Sequence, residues 1–234
     1  MKKFFYMTVD TETVQNGKMN LVYDIAYTIH NSKGIIEKSV NVLIKEVFTY
    51  HNELFEIDTF KGQNIKTKRA EYDKMVNNGK IKIVSFLEFI EIYNADIKKF
   101  NIDAPAAYNC TFDCVALNNT ADFIGIFNHP FKIITKTEEN SKKIQKYYPF
   151  KDLYSPFKEY FKNNDNYKKW CISNDFLTPK NAIKFTAESA YSYLTKNPCH
   201  FEKHLALSDT IEEAFIYHFL NSKKIQIDKK VTKK

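Results

Sequence analysis

The sequence predicts an α/β protein built on a mixed β-sheet, an antiparallel three-stranded meander followed by parallel strands, flanked by helices. Three observations carry this. The first forty or so residues hold three strand-type runs in succession. Helical periodicity takes over beyond residue 45. A short apolar run, Asp103 to Tyr108, then leads straight into a helix start, as in an α/β crossover.

Phe4 to Asp10 is a β-branched and aromatic run with apolar groups on both faces, which suits a central strand covered by helices. Leu21 to His30 is the second strand, and Asn31-Ser32-Lys33-Gly34 turns the chain into the third, Ile35 to Ile44. Residues 45 to 80 are irregular and contain a helix ending near Asn77-Asn78-Gly79. Ser85 with Glu88 forms a capping box, and Phe86, Ile90, Tyr93 and Ile97 follow at helical spacing. Asp103 to Tyr108 reads as a buried strand, and Thr111 as the cap of a helix from Phe112 to about Phe123.

Residues 124–185 read either as an insertion that shapes a substrate groove or as plain structural elaboration. Within them Ile133-Ile134 suggests a short strand, Ser155-Pro156 a helix start, and residues 162–169 a lysine- and asparagine-rich loop. Thr186 with Ser189 opens another helix, and the last strong one runs from about His204 to Leu220. Residues 223–234 carry six lysines and little to bury, so a frayed basic tail is expected after a single domain over 1–222.

Composition narrows the function classes. A 44% hydrophobic and 15% aromatic content in 234 residues excludes a disordered chain. The 35 basic and 28 acidic residues leave a net charge of +7, and Arg69 is the one arginine among the basic residues. Lysines meet phosphates as hydrated point charges and lack the planar fork that reads guanine edges. A polyanion held without sequence readout is the partner this implies. Cys110, Cys114, Cys171 and Cys199 show no zinc-type spacing and read as free thiols of a reducing, cytoplasmic setting. The apolar start meets Asp10 and Glu12 before a signal sequence could be completed, and no window suits a membrane span. The abundance of Lys, Asn, Ile, Phe and Tyr fits an AT-rich coding source such as a low-GC bacterium or its phage.

Three acidic groups stand out. Asp10 and Glu12 sit two apart at the end of the first strand, which puts both carboxylates on one face, where ligands of open α/β sheets gather. Alone, Asp-x-Glu arises often by chance. Asp113 lies in the first turn of its helix, where an acid also suits the helix dipole. His204 and Asp209 are five apart, so they can share a site if His204 lies at or just before the helix start. Together these four carboxylates and one base suit two hard divalent cations, Mg²⁺ or Mn²⁺, of the kind that promote phosphodiester displacement.

The segments Val9-Asp10-Thr11-Glu12-Thr13, Tyr108-Asn109-Cys110-Thr111-Phe112-Asp113 and His204-Leu205-Ala206-Leu207-Ser208-Asp209 resemble, in order and context, the three motifs of the DEDD-type 3′-to-5′ exonucleases of the ribonuclease H-like fold, histidine subclass (DEDDh). Within that family the resemblance is to the proofreading epsilon subunit of bacterial DNA polymerase III. It implies Asp10 bridging two metals, Glu12 and Asp209 helping to hold the metal that bears the attacking water, Asp113 supporting the second, and His204 as general base. It implies substrate contacts at Thr11, Thr13, Asn109 and Phe112, although Phe112 reads equally well as a core anchor. The implied partner is nucleic acid, single-stranded DNA 3′ ends first and RNA as the alternative, with a polymerase or other replication protein alongside. A non-catalytic nucleic-acid-binding module is the reading from another class. Val14-Gln15-Asn16-Gly17, where many members place a glycine directly after the first motif, and the roughly ninety residues between Asp113 and His204 depart from the family pattern.

Overall fold

Strand-forming residues fill the first three elements of the computed structural model, which describes residues 4–55, 65–137, 144–200 and 203–233. Strands β1 (Phe5–Asn16), β2 (Met19–Asn31) and β3 (Ile36–Ile44) form the expected antiparallel meander, each near its predicted bounds except that β1 runs on through the acidic motif. After helix α1 (Lys45–Phe48), a 3₁₀ turn and α2 (Ile65–Asn77), strand β4 (Lys82–Val84) pairs parallel to β3. Helix α3 (Phe86–Phe100) starts where the cap predicts, with the Ser85 hydroxyl accepting the Glu88 N–H. It ends on Asn101 in the left-handed conformation.

The buried crossover strand is shorter than its apolar run. Only Ala106–Ala107 (β5) pairs, parallel to β1 on one side and to a later strand on the other. Helix α4 (Thr111–Ile124) follows, with Cys110 rather than Thr111 at its cap position and no side-chain cap bond. Three expectations beyond residue 124 are corrected. The nine-residue β7 (Ile144–Asp152), paired antiparallel with β6 (Ile134–Thr137), escaped sequence reading. Its first half mixes Gln145, Lys146 and two tyrosines without alternation, and only its second half alternates in burial, with Tyr148, Phe150 and Asp152 inside, so it lacks the apolar signal of β1. After α5 (Tyr154–Phe161), half of the expected lysine-rich loop is helix α6 (Asp165–Ser173), because the Asn164 side chain accepts the Tyr167 N–H. Helices α7 (Ala187–Thr195, capped by Thr186) and α8 (Ala206–Ser222) form as expected, but the tail does not fray: β8 (Lys229–Lys233) pairs with β7. Lys230 ties it down by reaching Asp152 at 2.8 Å and Ser155 at 2.7 Å.

The sheet order is β4-β3-β2-β1-β5-β7-β6, with β8 added on β7. One apolar core lies between the sheet and α3 and α4, with Phe86, Phe89 and Phe131 fully buried. Each such ring contributes about 2–3 kcal/mol relative to exposure. A second core, holding Phe157, Tyr167, Ile216 and Leu220, lies under α5 to α8. β1 is therefore central and covered on both faces.

Candidate active site

The alternation of β1 sorts its side chains between the two layers. Met7 and Val9 enter the α3/α4 core, while Tyr6 packs into the other and Thr8 donates its hydroxyl to the Thr210 carbonyl on α8 at 2.9 Å. Asp10 and Glu12 continue the Tyr6–Thr8 face and so look toward α8. Thr11 turns the other way, and its hydroxyl donates to Asp113 Oδ1 at 2.8 Å, at the start of α4. Just beyond, the register slips: Glu12 pairs with Asp24 but Thr13 with Val22, leaving Tyr23 as the extra residue of a β-bulge that re-aims the strand end.

Two bonds place α8 over this strand end. The Ala206 N–H, at the first turn of a helix whose cap residue Leu205 makes no side-chain bond, donates to Asp24 Oδ2 at 3.2 Å. Thr8 holds the carbonyl of Thr210, so Asp209 is pinned between two anchors from the sheet. His204 lies two residues before the helix, as its spacing to Asp209 requires, in a left-handed turn (φ 51°). Lys68 of α2 steadies that turn by donating to the carbonyls of Lys203 (2.7 Å) and His204 (3.2 Å).

The result is a convergence of all five motif residues. One ligand atom each from Glu12, His204 and Asp209 lie within 4.8 Å of one another. The charges of Asp113, Glu213, Asp209 and Glu12 all reach Asp10, whose Oδ2 is buried without a hydrogen-bond partner among the described residues. Burial first, and then these like charges, hold the Asp10 carboxyl well above the usual carboxylate range. Burial pushes Asp113 up to about 7, against the hydrogen bonds from Thr11 and the backbone that favour its ionised form. Burial and Lys68 lower the pKa of His204, with Glu188 opposing, so its ring is neutral at neutral pH. Like charges crowded out of water around an unsatisfied oxygen are what a cation relieves, and an oxygen-dominated set with one imidazole fits Mg²⁺ or Mn²⁺.

Beside Asp10 opens a cleft of about 480 Å³, lined by Tyr108, Asn109, Tyr154, Phe185 and Glu213 among others. A larger cavity of about 530 Å³ between α5, α7 and α8 has no carboxylate in its lining, so chemistry rather than volume locates the site. Of the residues expected to touch substrate, Asn109 is exposed at the cleft, in a left-handed turn that asparagine tolerates, and Phe112 is half-buried. Thr11 and Thr13 are buried, at 5% and 7% exposure, and Thr11 commits its hydroxyl to Asp113. Sequence reasoning missed Asp24, Lys68 and Glu213. Glu213 stands four residues after Asp209, one helical turn along the same face, a spacing that could have found it.

No protein-family model and no curated protein matches this chain. Its fold matches solved structures across nearly its whole length. One is the nuclease domain of 3′hExo, a DEDDh family member, bound to rAMP, with a TM-score of 0.55 and 10% identity over 97% of this chain and 98% of that one. The chain shares the fold of that domain. A 3′-exonuclease in a structure of 3′-end specific recognition of histone mRNA stem-loop gives a TM-score of 0.58 and 8% identity, covering 100% of this chain and 92% of that one. Cell-death related nuclease 4 (CRN-4) gives 0.51 and 12% over 96% of this chain and 66% of that one. No helix among the described residues is long and apolar enough to cross a membrane.

Proposed function

We propose that the protein is a metal-dependent 3′-to-5′ exonuclease that hydrolyses the terminal phosphodiester of single-stranded DNA. The observation that carries this is the convergence of Glu12, His204 and Asp209 within 4.8 Å beside an Asp10 crowded by like charges, on a fold shared with DEDDh nuclease domains. In this reading Asp10, Glu12, Asp209 and Asp113, the last oriented by Thr11, would together hold the cations. Bound Mg²⁺ or Mn²⁺ ions would supply an activated water and stabilise the leaving oxygen. His204, neutral at neutral pH, takes the proton at its ring nitrogen as general base. The aromatic walls of the cleft, Tyr108, Tyr154 and Phe185, offer stacking surfaces for unpaired bases, and the lysine excess holds the backbone. A frayed 3′ end handed over by a polymerase is a natural source of such a strand.

RNA is the second reading, favoured by the rAMP and mRNA stem-loop in the structures of similar fold. End-labelled DNA and RNA strands of matched sequence, incubated with the protein and Mn²⁺ or Mg²⁺, decide between them. Shortening from the 3′ end that disappears in Asp10→Ala is the expected result. No shortening of any strand, or activity undiminished in that variant, refutes the exonuclease.

A further inference from the structure

Adjacent glutamates on α8 have opposite surroundings. Glu212 meets a basic ring, with its Oε1 2.9 Å from His200 Nε2. Glu213 turns instead to the acidic side, one turn beyond Asp209, and is only 2% exposed. Its Oε1 accepts the Tyr108 N–H at 2.9 Å, which fixes the carboxylate at the carboxyl end of β5. From there it lines the same cleft as Asp10, and its charge is felt at Asp10 more strongly than that of Asp209 or Glu12.

A backbone acceptor alone does not require an ionised group at this position. A glutamine would take the same N–H with its carbonyl oxygen and avoid adding a fifth carboxyl to a site already crowded with acids. The charge is what a neutral isostere would lack, and its location makes two things follow. A divalent cation entering beside Asp10 gains the field of five carboxylates. A phosphate approaching before the cation arrives is repelled by those of these acids that are ionised.

We propose that Glu213 is a fifth carboxylate of this centre, a positioning residue that strengthens cation binding on the Asp10 side and bars nucleic acid from the cleft until the cations are in place. This rests on the metal-dependent reading of the site above.

The test compares the wild type with Glu213→Gln, which keeps the hydrogen-bond acceptor and removes the charge. Calorimetric titration with Mn²⁺ alone should show affinity weakened by about tenfold or more, the scale typical of groups that support metal ligands. Anisotropy of a labelled oligothymidylate in EDTA should show binding tightened, by roughly threefold or more, as expected when one repulsive charge is removed. The metal-free Tm should be unchanged or higher. Unaltered Mn²⁺ affinity with unaltered binding in EDTA overturns the proposal, and so does a lowered metal-free Tm, which would make Glu213 a structural acceptor. A wild type that binds no Mn²⁺ refutes the metal centre itself. A wild type that binds it, with Glu213→Gln its equal, refutes only the role of Glu213.

Discussion

Asp10, half-buried with its Oδ2 enclosed, and Asp24, fully buried, are acids on neighbouring antiparallel strands, and the fold treats them in opposite ways. Asp24 is surrounded by donors: Tyr72 Oη and Asn41 Nδ2, each at 2.5 Å, and the Ala206 N–H at 3.2 Å. Burial still lifts it to about 6, because desolvation outweighs these three bonds. Asp10 has a buried oxygen without a hydrogen-bond partner among the described residues, and faces four acids. Asp24 is a solved electrostatic problem that fastens α8 to the sheet, and Asp10 is one left open for a ligand to solve. Removing the two side chains' acceptor and acid groups should therefore do opposite things.

The largest effect is expected for Asp10→Asn. Nuclease activity should fall on the order of a thousandfold or more, the scale seen when preorganised charge stabilisation is lost, while metal-free stability rises because a neutral amide replaces an acid whose ionised form burial and four neighbouring acids disfavour. Denaturant melts in EDTA check the second half, and a less stable variant would break the contrast. Asp24→Ala should instead cost about 3 kcal/mol, since it strands the Tyr72 hydroxyl and the Ala206 N–H and leaves the Asn41 amide only its 3.4 Å bond to the Ile25 carbonyl. Activity should fall with it and not recover with added Mn²⁺, because the N-terminus of α8 that carries Asp209 is no longer held.

The pH dependence of stability sharpens the contrast further. In the fold Asp24 ionises at about 6 against 3.8 for a free aspartate, so the native state keeps a proton that the unfolded chain has released. Its contribution is therefore lost as pH rises from about 4 to 6, by about 3 kcal/mol. Asp113, raised to about 7, acts in the same direction. His30, 2.6 Å from His218 and pressed down to about 3 by burial and that neighbour, opposes both, adding stability as pH rises from about 3 to 6.5. The difference between variants is thus the readout: melts in EDTA should show a shallower decline between about pH 4 and 6 in Asp24→Asn than in the wild type. Mn²⁺ should flatten the Asp113 part and leave that of Asp24 in place. The smallest effect belongs to Thr11→Val, about 1 kcal/mol for one buried hydrogen bond. It should also move the acid limb of the activity profile upward, since Asp113 loses a donor to its ionised form.

The legible and illegible parts of the chain differ in physical kind. The meander, α3, α7 and α8 were readable because their periods and caps are local. So was the placement of His204 just before α8, which follows from a helical angle. β7 and β8 were not readable, because lysine-rich strands are stabilised by their neighbours and by Lys230 reaching Asp152 and Ser155 across 78 and 75 residues. The five motif residues were visible as types at intervals. Their supports were not: Asp24, Thr8 and Lys68 look like ordinary strand and helix residues until the fold brings them to the N-terminal end of α8.

The sequence by itself determined the α/β class, the order of the acidic groups and the face of β1 on which Asp10 and Glu12 lie, because backbone period and capping act over a few residues. Only the tertiary structure decided that Thr11 serves Asp113, that Asp24 holds α8, and that Glu213 joins the acids around Asp10. Burial and Coulomb repulsion depend on distance in space, and no sequence interval specifies that distance until the sheet and α8 are packed together.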